Sequence, residues 1–255
     1  MVMETPMPLE PNTNLEPPDP GETEFSGTEL DVIMAHGTDE VIARAASLKF
    51  TKALKEYYLQ YKPDLVAIQE TRCSGRKLSS IKSTRFNFYI IIDANGFSGG
   101  IWLMWNNPNY RISEVARHNQ TLHVRIKDSR EERCLTIAYA HPQDIIRKKF
   151  RIFTEAIARN INCLWMICGD FNDIGDISEK KGGSVPDRTS MRRINEWKEN
   201  CSLIDMGFYG SRFTWRGPMW QDGGRILKRL DRALCNQHWR VLFNDAVVET
   251  LPRFK

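Results

Sequence analysis

Apolar residues in "SLKFTKALKEYYLQYK" recur at helical spacing. Phe50, Leu54, Tyr57 and Tyr61 share one face, Lys49, Lys52 and Lys55 lie mostly off it, and Pro63 ends the predicted helix. The pattern then shortens to strand length. "DLVAIQE" (64–70) is a brief apolar run ending in Glu70, and "FYIII" (88–92) and "GGIWLMW" (99–105) read the same way. "TLHVRIK" (121–127) alternates strictly, which predicts a half-exposed strand, and "RCLTIAY" (133–139) ends at Tyr139 ahead of a His-Pro turn. A basic helix, "DIIRKKFRIFTEAIARN", leads into the apolar strand "CLWMIC" (163–168), and residues 187–200 predict another helix. "RFTW", "ILKRLDRALC" and "DAVVETL" read as late strands, with a helical turn "QHWRVLF" before the last. There are no repeats. Many strands interrupted by a few helices predict one α/β domain, with extensive sheet inside and helices outside.

Composition adds a boundary to this picture. Residues 1–40 hold ten acidic side chains, no Lys or Arg, and half of the twelve prolines within the first twenty positions. That segment is expected to be a disordered acidic tail, with order beginning near Ala46 in a domain spanning 41–255. The whole chain sums to +4, but residues 41–255 carry 36 basic against 22 acidic groups, a net of +14. A basic body favours a polyanionic partner, nucleic acid first, against the plainer reading of a solvated basic surface. The six cysteines form no CxxC pair and the five histidines no metal-ligand spacing, so the thiols read as buried groups of a reducing, intracellular compartment. The N-terminus lacks the apolar stretch of a signal peptide. No apolar run approaches the roughly 20 residues that span a bilayer, so no membrane partner is expected, and no protein partner is evident in the sequence.

Two of the predicted strands end in an acid, Glu70 and Asp170 of "CGDFND". Strand ends and their loops are where layered α/β sheets assemble sites. Two carboxylates there can hold a hard divalent cation, or one can act as general base. Asn172, two residues on, would share Asp170's side in an extended chain and reach a phosphate oxygen or a nucleophilic water. The structural alternative is an Asx-turn at Gly-Asp with Asn172 or Asp173 capping a helix. From these residues alone both readings stand.

Six blocks in order, "PDLVAIQETR", "GGIWLMW", "AYAHPQ", "MICGDFND", "FTW" and "RLDRAL", resemble the endonuclease/exonuclease/phosphatase (DNase I-like) superfamily. More narrowly, they resemble the apurinic-type endonuclease domain of plant non-LTR (LINE-type) retrotransposons, over roughly residues 46–255. The resemblance implies a four-layer α/β sandwich of two mainly antiparallel sheets flanked by helices. It also implies a Mg²⁺- or Mn²⁺-dependent phosphodiester hydrolase acting on DNA, in the nucleus, with the ion weakly bound. Residue by residue, it makes Glu70 the metal ligand and Asp170 the acid that activates water. Asn172 and Tyr139 become phosphate contacts, and Asp231 the acid that orients a catalytic histidine. Arg212, Arg216, Arg225, Lys228 and Arg229 would track the nucleic-acid backbone, or else line a solvated loop. Trp215 would pack against a sugar or base, or sit in the core.

The chain departs from the family at both ends. Its members open with Trp-Asn-x-x-Gly before the first helix, where this chain reads "DVIMAHGTDEVIARAASLKF". They close with Ser-Asp-His, a motif expected to begin about where this chain stops, at Lys255. His118, His123 and His238 fall within elements and His141 within the His-Pro turn, so none replaces the closing histidine. A truncated copy with an incomplete fold is therefore expected, either weakly active or an inactive remnant that at most binds nucleic acid. Losing a positioned acid/base group typically removes ~10²–10⁴-fold in rate. A phosphatase of inositol phosphates or an RNA exonuclease on the same fold is the third reading.

Overall fold

The computed structural model describes residues 32–36, 48–73, 84, 86–94, 99–219 and 224–251. One sheet has the order β1-β2-β4-β3, from Val32–His36, Leu65–Gln69, Phe88–Ile92 (β3) and Ile101–Trp105 (β4). The second is six-stranded, β10-β14-β8-β7-β6-β5. Its strands are Arg111–His118 (β5), Thr121–Lys127 (β6), Glu132–Tyr139 (β7), Leu164–Asp170 (β8), Ile204–Asp205 (β10) and Asp231–Cys235 (β14). Neighbours run antiparallel except β1 with β2 and β7 with β8. Two small sheets, β9 (Lys180–Lys181) with β12 (Trp215–Met219) and β13 (Arg225–Lys228), and β11 (Tyr209–Gly210) with β15 (Glu249–Thr250), sit beside them.

Period-2 alternation in the central strands builds the layers. Leu65 and Ala67 of β2 face Leu135 and Ile137 of β7, Met166 and Cys168 of β8, and Ala233 and Cys235 of β14 in one core between the sheets. The alternate residues of β2, Val66 and Ile68, pack outward on Phe50 and Leu54 of α1 (Leu48–Tyr61). Those of the second sheet, including Trp165, Ile167 and Leu234, pack on α2 (Asp144–Asn160) and α3 (Arg188–Asn200) through Phe150, Ile194 and Trp197. The order helix, sheet, sheet, helix is the expected four-layer sandwich. Trp239 of the short α4 (Gln237–Leu242) joins the core between the sheets.

Several expectations need correction. Within the segment expected to be a disordered tail, Val32–His36 forms β1, because an apolar run beside the open edge of β2 satisfies its backbone there. The rest of that tail lies outside the described residues. β6 is not half-exposed: Leu122, Val124 and Ile126 enter the inter-sheet core, and on its other face His123 is buried against Thr136 (Nδ1 to Oγ1 2.7 Å). β5 escaped prediction because it is an exposed edge strand rich in polar residues. "RFTW" contributes only Trp215 to a strand, and "DAVVETL" only Glu249–Thr250. "ILKRLDRALC" divides into β13 and β14 in different sheets, since Arg229 and Leu230 bond elsewhere.

Candidate active site

The inward rows of β7, β8 and β14 change character at one edge. Alternation that puts Leu135 and Ile137, Met166 and Cys168, and Ala233 and Cys235 in the core puts Tyr139, Asp170 and Asp231 on the same face at its end. Register aligns them, with Asp170 paired with Tyr139 on one side and Asp231 on the other. The site is thus the polar rim of the inter-sheet core. Asp170 and Tyr139 are only 8% and 6% exposed.

From the other sheet, the row Leu65, Ala67 continues to Gln69, not Glu70. Glu70 leaves the strand in a left-handed turn, with φ 51° there and 50° at Arg72. The turn is held by Thr71 and Arg72 N–H groups donating to the carbonyls of Gly100 and Gly99 at 3.3 and 3.1 Å. This break in alternation turns a carboxylate that would have followed the outward row toward Tyr139. Glu70 accepts a 2.6 Å charged hydrogen bond from Arg72 Nη2, and its charge acts on the Tyr139 hydroxyl. Burial, and then the charges of Glu70 and Asp170, push the Tyr139 phenol up, so it stays protonated.

Asp170 is held by backbone on both sides. Its N–H donates to Gln69 Oε1 at 3.0 Å and its carbonyl accepts from Ala140 N–H at 2.8 Å. Its carboxylate makes the Asx-turn of the structural reading, accepting from Asn172 N–H at 2.7 Å. Asn172 is not extended as expected. A left-handed φ of 47° swings its amide back, and Nδ2 donates to Asp170 Oδ2 at 3.0 Å and to Ala140 O at 2.9 Å. Turn and site are therefore one structure. Asp173 belongs elsewhere: it accepts from Ser190 Oγ at 2.9 Å and pairs with Arg147 at 3.1 Å, tying the turn to α2 and α3.

Glu70 and Asp170 offer hard oxygen donors. Among the described residues, no group of three or more His, Cys, Asp or Glu side chains gathers where it would hold a metal by itself. That donor set suits Mg²⁺, which takes one or two carboxylates and completes its shell with water and phosphate oxygens.

A sequence profile of the Endonuclease/Exonuclease/phosphatase family matches residues 42–253. The chain belongs to that family. No curated protein matches. Among solved structures, the endonuclease domain of TRAS1, a telomere-specific non-LTR retrotransposon, superposes with a TM-score of 0.60 at 15% identity. That alignment covers 82% of this chain and 86% of the TRAS1 domain. The AP endonuclease LMAP from Leishmania major gives a TM-score of 0.58 at 12% identity, over 82% of this chain and 79% of that one. At such identities the likeness is one of fold, and it agrees with the layers described above.

The remaining predicted positions of this family member divide. Arg212 and Arg216 are exposed. Lys228 is register partner to Trp215, with Nζ 5.5 Å from the ring centroid. Trp215 is half-buried, and a Cβ on Gly217 would stand 2.9 Å from its ring. Arg225 is half-buried. Arg229 is not on the rim: 8% exposed, it pairs with Glu179 (3.1 Å) and Asp205 (2.8 Å). Its inward turn follows from the crossing between β13 and β14. Asp231 N–H donates to Thr214 Oγ1 at 3.1 Å. His141 Nδ1 accepts from Gln143 N–H at 3.0 Å. His36 ends β1 in register with Gln69, at the same edge as the site.

Sequence reasoning missed Gln69, Arg72 and Thr214. The first two stand inside the quoted "IQETR", so the signal was present. What no pattern carried was their partner.

Proposed function

We propose that this family member hydrolyses phosphodiesters, with DNA as substrate and Mg²⁺ as cofactor. The observation supporting this most is the convergence of Glu70, Tyr139, Asp170, Asn172 and Asp231 from two sheets onto one buried polar rim. Phosphodiester hydrolysis builds negative charge on the phosphoryl and leaving oxygens. A divalent ion held by Glu70 would supply the opposing charge when bound. Asp170 accepts the proton of the attacking water as its oxygen bonds to phosphorus, and the P–O bond to the leaving oxygen breaks. Asn172 holds the Asp170 carboxylate in place through its backbone and side-chain N–H groups. Tyr139, kept protonated, would present its hydroxyl to a phosphate oxygen. Arg212, Arg216 and Lys228 meet the nucleic-acid backbone without reading sequence.

The test is nicking of supercoiled plasmid with Mg²⁺. Glu70→Ala and Asp170→Ala are each expected to lose about 10²–10⁴-fold in rate. Wild type and both variants behaving alike would overturn the proposal.

A second reading, binding without cleavage, is favoured by one observation: Arg72 already neutralises Glu70 at 2.6 Å. Plasmid binding that ignores Mg²⁺, with no nicking, would support it, and robust turnover would exclude it.

A further inference from the structure

Gln69 has no part in that chemistry, yet its surroundings are the most constrained of the rim. It is 0% exposed, and its Oε1 accepts the Asp170 N–H across the gap between the sheets, joining residues 101 apart in sequence. Its Nε2 is buried with no hydrogen-bond partner among the described residues. An apolar side chain would continue the inward row of Leu65 and Ala67 and remove the stranded Nε2, so what the amide adds here is its hold on the Asp170 N–H. The opposing strand makes room for it. A Cβ on Gly169 would stand 2.4 Å from Nε2 and 2.0 Å from the Ala138 carbonyl. Gln69 also directly precedes Glu70, while the atom it grips belongs to Asp170.

We propose that Gln69 is a positioning residue, an inter-sheet tie that sets where Asp170 stands relative to Glu70. It reaches neither water nor phosphate and acts by holding the two carboxylates in register across the core. The proposal rests on the phosphodiesterase reading for its catalytic consequence, but the tie is measurable without turnover.

Gln69→Met keeps length and volume and removes the acceptor. The Asp170 amide, followed by NMR hydrogen exchange, should then exchange at least tenfold faster, while those of Ile167 and Cys168 stay protected. Removing the stranded Nε2 offsets the lost hydrogen bond, so the melting temperature should move little. The kcat for plasmid nicking should fall about 10²-fold, as misplacement by about 1 Å produces, with KM nearly unchanged. Gln69→Glu retains an acceptor and should restore protection at Asp170. Unchanged exchange at Asp170 in Gln69→Met would overturn the proposal. So would exchange, melting temperature and activity all declining together, the mark of a merely structural residue. If Gln69→Met does not fold, faster exchange at Asp170 in Gln69→Leu, reversed in Gln69→Glu, decides the matter. If wild type does not nick plasmid, the phosphodiesterase reading fails, and exchange alone still decides the tie.

Discussion

Among the described non-glycine residues, those with left-handed φ are Lys62, Glu70, Arg72, Asn172 and Ser202, and three of the five flank the site. Each such residue costs roughly 1–2 kcal/mol, so the cluster is stabilised by what surrounds it. At Glu70 this is the backbone bonding to Gly99 and Gly100, and at Asn172 the double hold on Asp170. Gly169, at φ 138°, would bring an added Cβ to 2.0 Å from the Ala138 carbonyl, the tightest approach among the described glycines. Gly169→Ala should destabilise by about 2–4 kcal/mol through strain and overpacking. Urea unfolding measures this, and a loss under about 0.5 kcal/mol, the scale of a neutral surface change, would contradict the packing described.

The elements are held beside the site by a buried ionic cluster. Arg232, next to Asp231 in β14, contacts Glu179 at 2.6 Å through each of its terminal nitrogens, while Arg229 joins Glu179 and Asp205. This ties the 3-10 turn Ile177–Glu179 and β10 to β14. Removing one partner strands the other charges, so Arg232→Ala should cost about 3–5 kcal/mol, read by urea unfolding. Most elements were legible in the sequence because helix and strand periods are local. α1, β2, β3, β4, β7, β8 and α2 fall where the pattern put them. β5 and the split between β13 and β14 were not legible, since an edge strand needs no apolar face and a change of sheet leaves no mark on periodicity.

For the whole molecule, acid should act in two steps. Burial, and then the charge of Arg125, lower His123 to about 4 from an ordinary 6.5. Its folded value lies below its unfolded one, so the stability of keeping it neutral is present above pH 6.5 and lost as pH falls toward 4. Burial raises Glu179, but Arg232 outweighs it and brings the carboxyl down to about 2 from 4.5. That contribution is complete above pH 4.5 and lost as pH falls toward 2. Thermal melts from pH 7 to 3 should show both losses, and His123→Gln should remove the first. A wild-type melting temperature flat between pH 6.5 and 4.5 would contradict the burial of His123. No described helix is long and apolar enough to cross a membrane.

Period-2 patterning and six short blocks were enough to assign the layers, the family and the acids at the strand ends, because each is written in neighbouring residues. Partnership across the molecule was not. That Glu70 leaves its strand to meet Tyr139 and Arg72, that Asn172 folds back on Asp170, and that Arg229 turns inward depend on left-handed turns and sheet crossings. Gln69 reaching Asp170 depends on two sheets packed face to face across 101 residues of chain. Local sequence sets which way a side chain leaves its strand; only the packed sheets determine what it meets.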